Sequence, residues 1–268
     1  MQMNAKKYFL ILLAIFLVSC SSEKLAWEEH LYSADALSAQ AVISEELLSN
    51  HITVLSSDEF EGRKPATRGG KKTVKYLIDE FKKMDLSPGN PNGEWTQKVQ
   101  MLGVKSFVRT QFINDDERWA MKTGLDIIGN SYLKEKKINL EKVDLVFCGY
   151  GVYAPEYGWD DFKNIDIKGK VVVVLVNDPP IKNGNNYDSN MFKGSAMTYY
   201  GRWSYKYEEA LRRGAAGAIV IHETGPAGYP FSVLQSGHDS EHLTIENKNA
   251  LKFEGWIPID ISPLRCCS

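Results

Sequence analysis

Cysteine is scarce, with four residues in 268, and no two stand in a Cys-x-x-Cys spacing, so a thiolate zinc site has no support. Cys266 and Cys267 are sequence neighbours, which disulfide geometry seldom bridges, and no disulfide framework is expected. Charge of one sign is lacking too. Lys plus Arg number 32 against 34 for Asp plus Glu, without a long single-sign block, so the footprint of a nucleic-acid binder is missing. Glycine (21) and proline (10) are at ordinary levels, which excludes collagen-like and low-complexity chains. The G-x-S-x-G elbow of a serine hydrolase is absent. The uninterrupted apolar run Tyr8–Val18 falls short of the roughly 20 residues that a membrane-crossing helix needs.

That short run sits where an address would be. Lys6 and Lys7 precede it, as in a secretory signal peptide, and its last two residues open Leu17-Val18-Ser19-Cys20. These four residues resemble the bacterial lipobox, in which the cysteine thiol takes a diacylglycerol and the preceding peptide is removed. The expectation is a lipoprotein signal peptide over 1–19 and a lipidated Cys20. A polar tether over 20–43 begins with Ser21, Ser22, Glu23 and Lys24. Several acyl chains, at about 0.8 kcal/mol per buried methylene, make a lasting anchor. The protein is therefore expected in a bacterial cell envelope, membrane-anchored, periplasmic or surface-exposed, with no nucleic-acid partner.

Past the tether, Ser44-Glu45-Glu46 reads as an N-cap with acidic first-turn residues, followed by Leu48, Ile52 and Leu55 at helical spacing. Val74, Leu77, Ile78 and Phe81 mark a second helix, with Lys82 and Lys83 in its last turn and Ser87-Pro88-Gly89 after it. Gly62, Gly69 and Gly70 permit a sharp loop between the two, tied by Asp58, Glu59 and Arg63. Strand candidates are 97–101, 107–113, 143–148 and 170–176. The run Val171 to Leu175 is apolar on both faces, as in a buried parallel strand. A helix over 201–213 carries Trp203, Tyr207, Ala210 and Leu211 on one face and ends at Gly214, and Ala218–Ile221 is a second buried strand. Strand, helix, strand is a βαβ-like unit, and the class is mixed α and β, of α+β type.

Several short motifs fail on context. Gly149-Tyr150-Gly151-Val152-Tyr153-Ala154 matches a dinucleotide fingerprint, yet Pro155 and Gly158 follow where a helix is required, so a tight loop is expected. Gly69-Gly70-Lys71-Lys72-Thr73 has the look of a phosphate loop, but Pro65 stands where its first glycine belongs. His238 and His242 are four apart and are the best metal candidates; no apolar periodicity surrounds them, and a solvated loop is the plainer reading. His51 reads as a helix-surface residue.

Two longer stretches carry a resemblance. Leu55 to Arg63 (LSSDEFEGR), continuing through Pro65, Thr67 to Gly70 and the helix to Leu86, resembles the N-terminal segment of secreted dizinc aminopeptidases. Phe147 to Asp161, Ile167 to Val176 and Ala215 to His222 resemble the protease-associated domain inserted in such enzymes. So do Tyr199 to Trp203 and Gly228 to Pro230. The resemblance implies an N-terminal peptidase-type segment over 44–124 and a protease-associated β-sheet or barrel domain with helices over 125–255.

It also implies a release of N-terminal amino acids that depends on two zinc ions about 3.5–4 Å apart. The ligand motif, beginning with His-x-Asp, is found at none of the five histidines, His30, His51, His222, His238 and His242. No catalytic and no metal-binding residue is therefore assigned, and no cofactor is expected in this chain. Residues 256–268 read as an aberrant tail of a product ended before its zinc domain, inactive alone. The alternative is a non-catalytic surface lipoprotein that binds peptides or a protein, with Tyr199, Tyr200 and Trp203 as candidate contacts. In a product without its catalytic sheet, the helices of the segment near 45–115 are expected to expose apolar residues around Leu77, Ile78 and Phe81.

Overall fold

The computed structural model describes residues 33–115, 117–246 and 249–261. The chain forms two compact units that divide between Gln97 and Lys98.

The first unit is helical. Helices α1 (Ala34–Ala41), α2 (Glu45–Ser56) and α3 (Arg68–Lys83) each start at a hydroxyl cap: Ser33 accepts from the Ala36 amide, Ser44 from Leu47 and Thr67 from Gly70. Each such cap satisfies an amide that the helix itself leaves without a partner. A 3-10 stretch, Asp58–Arg63, joins α2 to α3. Of the residues read as ties, Arg63 donates to the Leu55 carbonyl and Glu59 pairs with Lys72 at 3.2 Å, while the further pair is Arg68 with Glu61 and not one made by Asp58. Gly69 is a steric requirement, since a Cβ there would fall on the Phe60 carbonyl. Phe60 and Gly69 are the only buried residues among those described in this unit. Leu77 and Phe81 are 39% and 41% exposed as expected, whereas Ile78 is half-buried.

The second unit is built on a sheet. Its strands are β1 (Leu102–Val104), β2 (Thr110–Asn114), β3 (Glu117–Met121), β4 (Ile128–Asn130), β5 (Leu145–Phe147), β6 (Tyr153–Ala154), β7 (Trp159–Asp160), β8 (Val171–Leu175), β9 (Lys182–Asn183), β10 (Asn186–Tyr187), β11 (Gly217–His222), β12 (His242–Thr244) and β13 (Phe253–Pro258). Helices α4 (Trp203–Arg212), α5 (Thr224–Ala227) and α6 (Ser232–Gln235) complete it. Five strands make the main sheet in the order β4-β13-β11-β8-β5; β5, β8, β11 and β13 are parallel and β4 is antiparallel. The rest pair off in two-stranded ribbons: β1 with β12, β2 with β3, β6 with β7, and β9 with β10.

The βαβ unit read from the sequence is β8-α4-β11. Its strands are apolar on both faces because both faces are covered. Val172, Val174, Ala218, Val220 and Trp256 meet Tyr207 and Ala210 of α4 on one side. Val171, Val173, Ile219, Ile221 and Ile257 meet Phe112 and Met121 of the β2–β3 hairpin on the other. Gly214, at φ +79°, ends α4 as expected.

Element placement departs from the sequence reading in three ways. Residues 97–101 form no strand, and pairing begins at Leu102, which lies opposite Thr244. The hairpin β2–β3 belongs to the second unit, because Phe112 and Met121 find their apolar partners on the sheet; the expected division at 124/125 therefore falls after it. β13 runs through 255/256, where the aberrant tail was expected to begin, and buries Trp256 and Ile257 beside β11.

Candidate functional site

Register decides what each face of the sheet carries. Leu145 and Phe147 on β5 pair with Val171 and Val173 on β8, so their side chains share the face that the β2–β3 hairpin covers. The hairpin and the 131–143 segment close over the middle of that face and leave its β5 side open. The result is a groove of about 1490 Å3, larger than the roughly 300–1,000 Å3 typical of small-ligand pockets. Its floor includes Val171, Val173 and Ile219, and Phe112, Ile113 and Trp119 line the hairpin side. Leu145 (41% exposed) and Phe147 (43% exposed) stand at its rim.

The lining is electrically lopsided. Lys105, Arg109, Arg118, Lys136, Lys137, Lys142 and Lys252 all line the groove and are all exposed. The acids on the lining are Glu135 and Asp144, and Asp144 lies 3.8 Å from Lys170. Among the described residues, that is the one ion pair along this surface.

A second polar cluster lies at the carboxyl ends of the parallel strands, where open α/β sheets commonly bind ligands. Lys206 on α4, 2% exposed, reaches across to donate to the Asn177 carbonyl at 3.0 Å. Asp178 accepts from the Thr198 amide at 2.6 Å and its hydroxyl at 3.0 Å. Burial pulls Lys206 down to about 7, against the opposing pull of Asp178 and Asp161, and pushes Asp178 above the usual carboxylate range. His222 is ringed by Tyr229, Phe231 and Trp256, and its Nε2 is buried without a partner. This cluster is closed: it fastens α4 to the loop after β8 rather than opening to a ligand. No sequence motif marks it, because Lys206 and His222 meet Asp178 and Trp256 only through the sheet.

The residues singled out from sequence are scattered. Tyr200 donates to Glu156 at 2.6 Å, which pushes its phenol up to about 12, and packs edge-on against Tyr205 at 5.0 Å. Tyr199 donates to Glu208, and Trp203 is half exposed against Tyr207. All three lie on or beside α4, across the sheet from the groove, and none lines it. Cys20 and His30 lie outside the described residues. His51 hydrogen-bonds to Tyr76 at 2.6 Å. Cys148 is buried and its thiol is pushed up to about 11 by that burial, so it is no nucleophile. Gly149 and Gly151 form a tight turn with φ of +51° and +62°, and a β-strand follows, not a helix.

The histidine pair does not make a metal centre. His238 Nδ1 lies 2.8 Å from the Gln235 carbonyl in a loop, whereas His242 starts β12. Among the described residues no three His, Cys, Asp or Glu side chains converge as a metal ion requires, so these residues do not fit a dizinc centre. No helix among them is long and apolar enough to cross a membrane. No protein-family model matches the chain, and no curated protein matches it.

Proposed function

We propose that this protein is a lipid-anchored, exported relative of the dizinc aminopeptidases that handles peptides and does not itself cleave them. The observation that carries the reading is the groove, long and open, with apolar and cationic walls beside an uncapped strand. Such a surface suits a polypeptide better than a small molecule. The segments Leu55 to Arg63 and Phe147 to Asp161 supply the peptidase side of the argument, the second as the loop and strand that flank β5 and β8. Among the described residues no three His, Cys, Asp or Glu side chains converge, and the reading rests on the groove.

The test uses the full chain purified from membranes in detergent. Saturable binding of unstructured peptides is expected, with no turnover of an aminoacyl-anilide when zinc is added. Zinc-dependent turnover would refute the non-catalytic part. Intact-mass analysis should find the chain beginning at an acylated Cys20, and Cys20→Ser should abolish the acyl mass and release the protein from membranes. A Cys20→Ser chain that stays membrane-bound would refute the anchor.

The open groove also favours a second reading, a surface lipoprotein whose peptide binding serves no peptidase at all. Co-isolation of a zinc aminopeptidase with the full chain separates the two.

A further inference from the structure

We infer that the groove takes an acidic peptide in extended conformation, which adds as a sixth strand along the free edge of β5. This deepens the peptide-handling reading and rests on it.

The backbone of β5 supplies the first argument. The Val171 amide donates to the Asp144 carbonyl at 3.0 Å, and the Cys148 amide donates to the Val173 carbonyl at 3.0 Å. The backbone groups of residues 144, 146 and 148 therefore face β8. By the two-residue alternation of a strand, those of Leu145 and Phe147 face the other way. β5 ends the sheet on that side. An edge of this kind is a template for another strand, and added strands draw affinity from main-chain bonds while side-chain sites set specificity. The edge is short, three residues, but Leu145 and Phe147 are large, apolar and over two-fifths exposed, and the strand contains no proline.

Charge supplies the second argument. The protein carries a net charge of −2, yet seven exposed Lys and Arg side chains, Lys105 among them, gather on this lining without an ion pair among the described residues. They come from the end of β1 (Lys105), the hairpin side (Arg109, Arg118), the 131–143 segment (Lys136, Lys137, Lys142) and the start of β13 (Lys252). They surround the same face onto which every second side chain of an added strand would point. Acidic residues at alternate positions would meet them. A lipid headgroup or a nucleic acid would also answer the charge but would leave the strand edge unused.

The experiment measures binding of a fluorescent nine-residue peptide of alternating Glu and Val to the full chain. Two comparison peptides replace Glu by Lys or carry N-methyl groups on alternate amides. An equally charged single-stranded oligonucleotide and phosphatidylglycerol vesicles serve as competitors. The inference expects Kd to rise at least tenfold for the Lys peptide and for the N-methyl peptide, with little competition from the oligonucleotide or vesicles. Arg109→Glu with Lys142→Glu should weaken the Glu peptide at least tenfold. Leu145→Pro should do the same, because it deletes an outward amide and leaves the bonds to β8 in place. Equal binding of the N-methyl peptide would overturn the strand addition with the protein itself unaltered. Full competition by oligonucleotide or vesicles would overturn the peptide as occupant. Equal binding of the Lys peptide would overturn the charge preference and leave peptide handling standing. No binding by any peptide would overturn both.

Discussion

Lys206 and Glu254 titrate near neutrality for the same reason, since burial disfavours the charged form of each, but with opposite effects on stability. Lys206 faces the Asn177 carbonyl, the carboxylates of Asp178 and Asp161, and the ring of Tyr205, and sits at about 7. Its unfolded value is 10.5. Between 7 and 10.5 the unfolded chain therefore binds more protons, so this residue makes stability rise with pH across that window. Glu254, on β13 near Tyr207 and Tyr132, is raised by burial from 4.5 to about 7. Between 4.5 and 7 the native state binds the extra proton, and stability falls as pH rises. Asp178, also raised, adds to the acid limb. Lys206 and Glu254 by themselves give a stability minimum near pH 7, whereas Cys148, raised by burial to about 11, opposes the alkaline rise above pH 9 and the lowered His222 opposes the acid limb. Lys206→Met should flatten the alkaline limb and Glu254→Gln the acid limb in calorimetric scans from pH 4.5 to 10.5. Limbs left unchanged by the two substitutions would refute this assignment.

Elements divide by how much of their reason for existing is local. The capped helices α2 and α3 are legible because Ser44, the acidic first turn and the i, i+3, i+4 apolar spacing are all contained in one stretch of chain. β8 and β11 are legible because two-faced burial demands an unbroken apolar run. β4 and β12 are not, since three residues of mixed character become strands only by pairing with partners far along the chain, such as Leu102 with Thr244 and Ile128 with Trp256. The candidate site was hidden for the same reason. Its cations are spread from Lys105 to Lys252, and only the fold gathers them. The aromatic run Tyr199 to Trp203 was conspicuous in sequence, and much of its packing is internal. Burial then sets the response to substitution. On α3, Leu77→Glu with Phe81→Glu should cost less than about 1 kcal/mol, because both side chains are about two-fifths exposed, and should reduce self-association seen by light scattering. On β8, Val173→Asp, at a site 2% exposed, should cost about 4 kcal/mol or more by burying an unpaired charge. Equal losses of Tm for the two variants would contradict this ordering.

At the scale of the whole molecule, the two units are stabilised very unequally, and this is measurable on the intact chain. In the second unit one apolar cluster packs on each face of the main sheet and a third gathers Val152, Ala154, Phe192 and Tyr205 beside it, with Ile127, Ile221, Leu251 and Ile257 almost wholly removed from water. At about 25 cal/mol per Å2 of apolar surface buried, such clusters dominate folding energy. The first unit buries Phe60 and Gly69 alone among its described residues. Its helices rest on caps and on exposed surface pairs such as Lys75–Asp79 and Lys83–Glu80, which solvent screens. Segments with few buried apolar contacts open at low free-energy cost and are cut first. Limited proteolysis of the full chain should therefore cleave within 33–97 at protease levels that leave a fragment beginning near Lys98 intact. Because the groove is lined wholly by residues 104–253, that digest should keep the affinity of the uncut protein for the Glu-Val peptide within about twofold. Protected fragments confined to 33–97 would mean that the helical unit is the stable one. Loss of peptide binding on the first cut would mean that the groove depends on the segment removed.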